Sequence, residues 1–159
     1  IEGQEIEGYQ LYTKENSERA YIQGAETAWD YFPKSWLTLS GSLTYTYGQN
    51  ITKNEPVRRI PPLFARMAAE FRPGNWRSGI EWLAAAKQDR LAQGDIDDNR
   101  IPDGGTPGWN VINLSGGYTW KFLAADLSLR NIFNKDYRYH GSGINGYGRS
   151  LFLTLQANF

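Results

Sequence analysis

From Ser150 to Phe159 the chain alternates almost without a break. Leu151, Leu153, Leu155, Ala157 and Phe159 fall on one side of an extended segment, and Ser150, Thr154, Gln156 and Asn158 on the other, with Phe152 the exception. Successive side chains of a strand point to opposite faces, so this period of two commits the segment to a strand with one face against an apolar medium. That medium is a protein core or a lipid, and the rest of the chain has to decide between them.

Seven segments read as strands, at 18–32, 35–48, 60–72, 76–90, 109–120, 122–133 and 149–159, and no helix is expected. Short turns at Pro33-Lys34, at Pro73-Gly74-Asn75 and around Lys121 alternate with long polar segments at 49–59, 91–108 and 134–148. The expected fold class is all-β: an antiparallel up-and-down meander with its short turns at one end and its long loops at the other, as in outer-membrane barrels.

One face of this meander carries no charge. It reads Ala25, Thr27, Trp29, Tyr31; Leu37, Leu39, Gly41, Leu43, Tyr45, Tyr47; Leu63, Ala65, Met67, Ala69, Phe71; Trp76, Ser78, Ile80, Trp82, Ala84, Ala86; Ile112, Leu114, Gly116, Tyr118, Trp120; and Leu123, Ala125, Leu127, Leu129. The opposite face holds the strand charges, among them Glu26, Asp30, Arg66, Glu70, Arg77, Glu81, Lys87, Asp126 and Arg130. A soluble sandwich segregates charge in the same way, so the alternation serves a core and a lipid face equally. Aromatic placement separates them. Trp29, Tyr31 and Trp36 flank the first short turn, Phe71 and Trp76 the second, and Tyr118, Trp120 and Phe122 the third, with Phe159 at the same level. Rings held at one height suit a membrane–water interface, whereas a sandwich core gathers its largest rings near mid-strand.

Composition agrees. No apolar run approaches the ~20 residues of a membrane helix and the mean hydropathy is negative, but barrel strands escape such scans. The absence of cysteine excludes a disulfide scaffold and a thiolate metal site. Seventeen basic and seventeen acidic residues cancel, which leaves no electrostatic footprint for nucleic acid. A barrel must close, and bacterial single-chain barrels use an even strand number, so seven strands are expected to be part of something larger. The start at Ile1, with no initiator Met or signal peptide, fits a mature or excised fragment.

The residues also carry a resemblance. Asn131-Ile132-Phe133-Asn134-Lys135-Asp136-Tyr137-Arg138, then Gly148-Arg149-Ser150 and a terminal strand ending in Phe159, resembles the carboxyl-terminal signature of TonB-dependent outer-membrane receptors. Gly24-Ala25-Glu26, Arg59-Ile60-Pro61-Pro62 and Thr106-Pro107-Gly108-Trp109 are similar to further steps of that family's barrel. The resemblance implies a barrel of about twenty-two strands around an amino-terminal plug. It also implies location in the bacterial outer membrane and import of scarce nutrients such as iron-siderophores, haem or cobalamin. The energy comes from the TonB complex of the inner membrane, and no cofactor is implied. Residues 1–159 then correspond to the carboxyl-terminal portion of the barrel, without plug or TonB box. The partners implied are the remaining barrel strands, the plug, the TonB complex, outer-membrane lipid and the barrel-assembly machinery. That machinery reads a terminal signal matched here by Leu151, Leu153, Leu155 and Phe159, with Ala157 smaller than the usual residue.

Three groups of side chains are candidates for a site. Arg66, Glu70, Arg77, Glu81, Asp126 and Arg130 would line the lumen, where they either anchor the plug or bridge one another across strands. His140, the only histidine, stands with Tyr139 and Tyr147 in the last long loop, where it would contact a ligand or remain an ordinary loop residue. Asp95, Asp97, Asp98 and Asp103 could supply oxygens to Ca²⁺, although the spacing is no EF-hand and a solvated loop explains them as well. Asn131 interrupts the apolar row, as a residue beyond the bilayer or beside a bulge would, and no sharper physical reason is evident. No nucleophile, phosphate loop or acid–base pair points to an enzyme. The alternatives to a transport receptor are a complete small outer-membrane barrel and a soluble lectin-like β-sandwich that binds glycans through its tryptophans and tyrosines.

Overall fold

The computed structural model describes residues 18–158 and the backbone of 5–6 and 9–10. The chain forms β1 (Glu5–Ile6), β2 (Tyr9–Gln10), β3 (Ala20–Lys34), β4 (Leu37–Asn50), β5 (Glu55–Pro56), β6 (Phe64–Phe71), β7 (Trp76–Ala85), α1 (Gln93–Ile96), β8 (Trp109–Trp120), β9 (Leu123–Arg130) and β10 (Ser150–Ala157). β1 and β2 pair with each other. The seven longer strands make one antiparallel meander in the order β10-β9-β8-β7-β6-β4-β3, with β5 folded back onto β4.

Register turns the alternation of single strands into a continuous face. Thr27 lies opposite Leu43, Leu43 opposite Ala65, Met67 opposite Trp82, Ile80 opposite Leu114, Leu114 opposite Leu129, and Leu127 opposite Leu153. A slip of one residue at any of these pairings would put charge into the apolar face, so the sequence pattern fixes the register. Aromatic pairs gather at the short-turn end: Trp76 packs on Tyr118 with ring centroids 4.6 Å apart, and Trp36 meets Phe71 edge-on at 5.0 Å.

The strands differ from the sequence reading at their ends, each for a local reason. The first turn is Ser35-Trp36 rather than Pro33-Lys34, because β3 slips register between Tyr31 and Lys34 and carries its proline within the irregularity. β6 starts at Phe64 instead of residue 60, since Pro61 and Pro62 offer no N–H to a ladder. β9 stops at Arg130 because Asn131 takes a left-handed φ of 48°. Gly74 has φ 57° as the first central residue of the turn closed by Trp76 N–H on the Pro73 carbonyl at 3.1 Å, where a hairpin turn favours glycine. The expectation of no helix is corrected by α1, a single turn in the loop between β7 and β8.

The buried apolar residues do not lie between the strands' two faces and a second layer. Ile60, Ala85, Ala92, Ile101, Trp109 and Val111 are buried at the long-loop end, where the loops fold over the polar face. By contrast Leu151, Leu153 and Leu155 are 64–72% exposed on the apolar face, which a sandwich core would have covered.

Candidate functional site

The polar face is organised by ion pairs that span strands. Arg66 on β6 donates from Nε to Glu81 Oε1 of β7 at 2.7 Å and from Nη1 to Ser40 Oγ of β4 at 3.3 Å. Arg77 on β7 holds Asp126 of β9 with both carboxylate oxygens, at 2.9 and 3.0 Å, across the intervening β8. Gly117 of β8 makes that reach possible: it lies opposite both Arg77 and Asp126, and a Cβ there would sit 2.1 Å from Asp126 Oδ1. Glu70 pairs with Arg72, while the Arg130 guanidinium lies 5.2 Å from the Phe152 ring. Phe152, the exception in the terminal alternation, therefore has a polar-face partner. These pairs are partly exposed and contribute at most about 1 kcal/mol each, so their weight is geometric. Lys87 is corrected: it lies beyond β7 and pairs with Asp89 in the loop at 3.4 Å.

The long loops are packed rather than solvated. Asp95, in α1, is fully buried and accepts Arg59 N–H at 3.1 and 3.2 Å and Ala92 N–H at 3.3 Å. Asp98 accepts from Arg58, Arg59 and Arg100 at 3.1, 3.2 and 2.6 Å. The Arg100 guanidinium is the main reason its carboxyl is held well below the usual carboxylate range. Asp97 accepts from Gln93, and Asp103 is exposed. In this arrangement the two inward carboxylates serve arginines and backbone amides, and among the described residues no three acidic or histidine side chains gather to hold a metal. Arg58 and Arg59 are the residues the sequence reading missed; nothing in their spacing announces a partner some forty positions away.

The last loop, between β9 and β10, lies over the upper part of the polar face. Trp109 Nε1 donates to the Arg138 carbonyl at 3.0 Å, and its ring meets Tyr137 at 4.6 Å and Tyr139 at 5.1 Å. Beneath the loop is an open cavity of about 700 Å³, lined by Arg66, Glu81, Asn113, Arg130, Tyr139 and Tyr147 among others. Burial raises the Tyr139 hydroxyl above its ordinary pKa. The three loop candidates do not converge. Tyr139 and Tyr147 line the cavity, whereas His140 bonds Thr106 through Nδ1 at 2.9 Å. Its Nε2 is buried without a hydrogen-bond partner among the described residues, and burial lowers the imidazole below its ordinary pKa. The histidine is therefore packed within the loops, bonded to Thr106.

Asn131 now has an account. It is 1% exposed; its Oδ1 accepts Lys135 N–H, and its Nδ2 donates to the Lys135 and Tyr147 carbonyls, each at 2.8 Å. It closes both legs of the last loop.

A seven-stranded meander with charge bridged on one face and bare leucines on the other is the fold of a barrel wall. The TonB dependent receptor-like β-barrel family matches residues 3–134. This chain belongs to that family. A solved structure described as "Copper transporter OprC" is similar in fold, with a TM-score of 0.76 and 25% identity over 88% of this chain and 24% of that one. The chain thus spans about a quarter of that neighbour's length. No curated protein matches it by sequence. Members of the family are outer-membrane receptors and transporters, and the family in general works with a plug and TonB. Leu151, Leu153 and Leu155 lie on the apolar face of β10, and Phe159 lies outside the described residues.

Proposed function

We propose that residues 1–159 are the carboxyl-terminal wall section of an outer-membrane receptor that imports a scarce nutrient with TonB-derived energy. The observation that carries this reading is the division of the sheet. Its apolar face is exposed from β3 to β10, its polar face is cross-bridged by Arg66–Glu81 and Arg77–Asp126, and its outermost strands β3 and β10 each have an edge with no partner strand among the described residues. Exposed strand edges and bare leucines are costly in water, and lipid plus further strands resolve both. On this reading the polar face looks into the lumen, where its arginines and carboxylates meet the plug. The terminal strand with Leu151, Leu153, Leu155 and Phe159 serves as the signal for the barrel-assembly machinery.

Cargo recognition would use the cavity under the last loop, with the Tyr139 and Tyr147 rings and the Arg66 and Arg130 guanidinium groups facing a chelate or other organic nutrient such as an iron-siderophore, haem or cobalamin. The copper-transporting neighbour widens the class to metal cargo. This segment itself contributes no soft-ligand cluster, having no cysteine, one methionine, Met67 on the apolar face, and one histidine already bonded to Thr106.

The test is fractionation of the native gene product with outer membranes, together with heat-modifiable gel migration and intact mass. A heat-modifiable product several times heavier than 18.1 kDa supports the reading. A detergent-free species of 18.1 kDa in the soluble fraction would overturn it.

A further inference from the structure

Between the charged polar face and the last loop runs one uninterrupted chain of hydrogen bonds. Ser40 Oγ accepts from Arg66, and Arg66 donates to Glu81 Oε1. Asn113 Nδ2 donates to Glu81 Oε2 at 3.0 Å, and the Asn113 side-chain oxygen accepts Asn131 N–H at 2.9 Å. Asn131 then fastens Lys135 and Tyr147, the two legs of the loop. Asn134, also in a left-handed conformation, accepts Arg149 N–H at 2.9 Å and completes the closure.

Asn113 is the link in this chain that has to donate to a carboxylate and accept from a backbone N–H with one side chain. A carboxylate accepts only and a backbone N–H donates only, so the residue between them needs an acceptor and a donor on one short side chain, which an amide supplies. Its orientation is dictated by Glu81. If Glu81 ceases to accept, the amide loses what holds it and the nearly buried Asn131 N–H loses a fixed acceptor. Among the described residues the second bridge of the polar face has no such continuation: Arg77 and Asp126 bond each other, Arg77 also bonds Thr119, and no side-chain bond carries them to a loop residue. The Arg66 and Glu81 side chains are also open to the cavity beneath the loop, being 38% and 31% exposed. A charged group entering that cavity competes for the pair.

We propose that Asn113 is a positioning residue that transmits the state of the Arg66–Glu81 pair to Asn131, so that a charged group binding in the barrel interior loosens or tightens the last loop over the cavity. The inference rests on the interior reading of the polar face given above. The device is a two-state amide: held by Glu81 it latches the base of the loop, and released it leaves the loop tied by its internal bonds and, further out, by Trp109 to Arg138 and Thr106 to His140. Both legs carry such bonds, since Gly146 N–H donates to the Tyr137 carbonyl at 2.8 Å and Arg138 donates to Asn145 at 2.7 Å. The loosening is therefore confined to the base of the loop, around Asn131 and Lys135.

The experiment is amide hydrogen exchange over residues 131–149 in the full-length receptor, with heat-modifiable migration confirming barrel assembly in every variant. Glu81→Ala is expected to speed exchange at the Asn131 and Lys135 amides by about tenfold, while Asp126→Asn leaves it unchanged. In an Asn113→Ala background, Glu81→Ala should add nothing, since coupling through a shared residue appears as non-additivity. Should Glu81→Ala prevent assembly, Glu81→Leu takes its place, and Asn113→Leu replaces Asn113→Ala on the same ground. The proposal is overturned if the loop ignores Glu81, if Asp126→Asn loosens it equally, or if the Glu81 effect persists without Asn113. A receptor absent from the outer membrane would sink the functional reading instead, and migration reports that separately.

Discussion

His140 shows how a single residue's role escapes its sequence context. Flanked by tyrosines in a polar loop, it looks like a ligand-facing side chain. Its partner Thr106 and the neighbouring carboxylates of Asp95 and Asp98 arrive from another loop, through a fold that its own neighbours do not encode. Burial lowers the imidazole pKa, and Asp95 and Asp98 oppose that only in part. The folded state thus binds its proton less readily than the unfolded chain, whose histidine titrates near 6.5. The stabilising contribution is complete above about 6.5 and is lost as pH falls through the lower folded value. Asp98 has its own window further down: with its carboxyl depressed in the fold, its contribution holds above about 3.9 and fades only below. Lowering the pH from 7 to 5 should therefore loosen the last loop at Thr106 while the Asp98 arginine cluster stays closed. Exchange rates of the 137–142 and 95–101 amides, corrected for intrinsic pH dependence, measure both. His140→Gln should remove the first change, and an unchanged pH response in that variant would refute the assignment. Asn131 was equally opaque in sequence, because its partners Tyr147 and Asn113 are distant and its left-handed backbone breaks the very period by which the strand was found.

At the scale of elements the sequence was far more legible. Period-two alternation locates all seven strands of the meander, since a strand with one apolar face repeats its signal at every second residue and register multiplies it across neighbours. The ends were harder to place. Pro61-Pro62, the irregularity between Tyr31 and Lys34, and Asn131 each end or shift pairing through backbone chemistry that hydropathy does not register. The packing of the loops is not legible in sequence, because their arginines and aspartates look hydrophilic singly and become a packed unit only when Arg58 and Arg59 meet Asp95 and Asp98. The face assignment makes a quantitative prediction. Leu127 lies mid-strand in β9, opposite Gly116 and Leu153 on the exposed apolar face, and Leu43 holds a similar place in β4. Arginine at either position should destabilise a lipid-embedded barrel by ~2–4 kcal/mol near the midplane. Thr44→Arg, on the polar face opposite Glu26, should be mild. Denaturant titration of the receptor refolded into lipid vesicles reads the difference, and equal tolerance of arginine on both faces would contradict a lipid-facing assignment.

At the scale of the whole sheet, the decisive property is that the described residues bury no core between two layers. The buried apolar cluster of Ala85, Trp109 and Val111, with Phe64, Leu83 and Tyr137 packed against it, holds only the long-loop end together. The remaining sheet is stabilised along its own plane, by backbone ladders and cross-strand pairs, with its apolar face bare. A sheet of this kind in water exposes β3 and β10 as templates for further strands. Its two outer edges run antiparallel to their inner neighbours and belong to strands of 15 and 8 residues, long enough to pair with another copy. Residues 1–159 produced alone should therefore self-associate in dilute buffer through these edges and the leucines of β10. Proline at Leu153 should weaken that association, because the substitution takes away a backbone N–H and resists strand pairing. Light scattering of the isolated segment, with and without Leu153→Pro, is the measurement. A monodisperse monomer of 18.1 kDa free of detergent would mean that the apolar face is compatible with water, and the argument for a lipid-facing wall would fall with it.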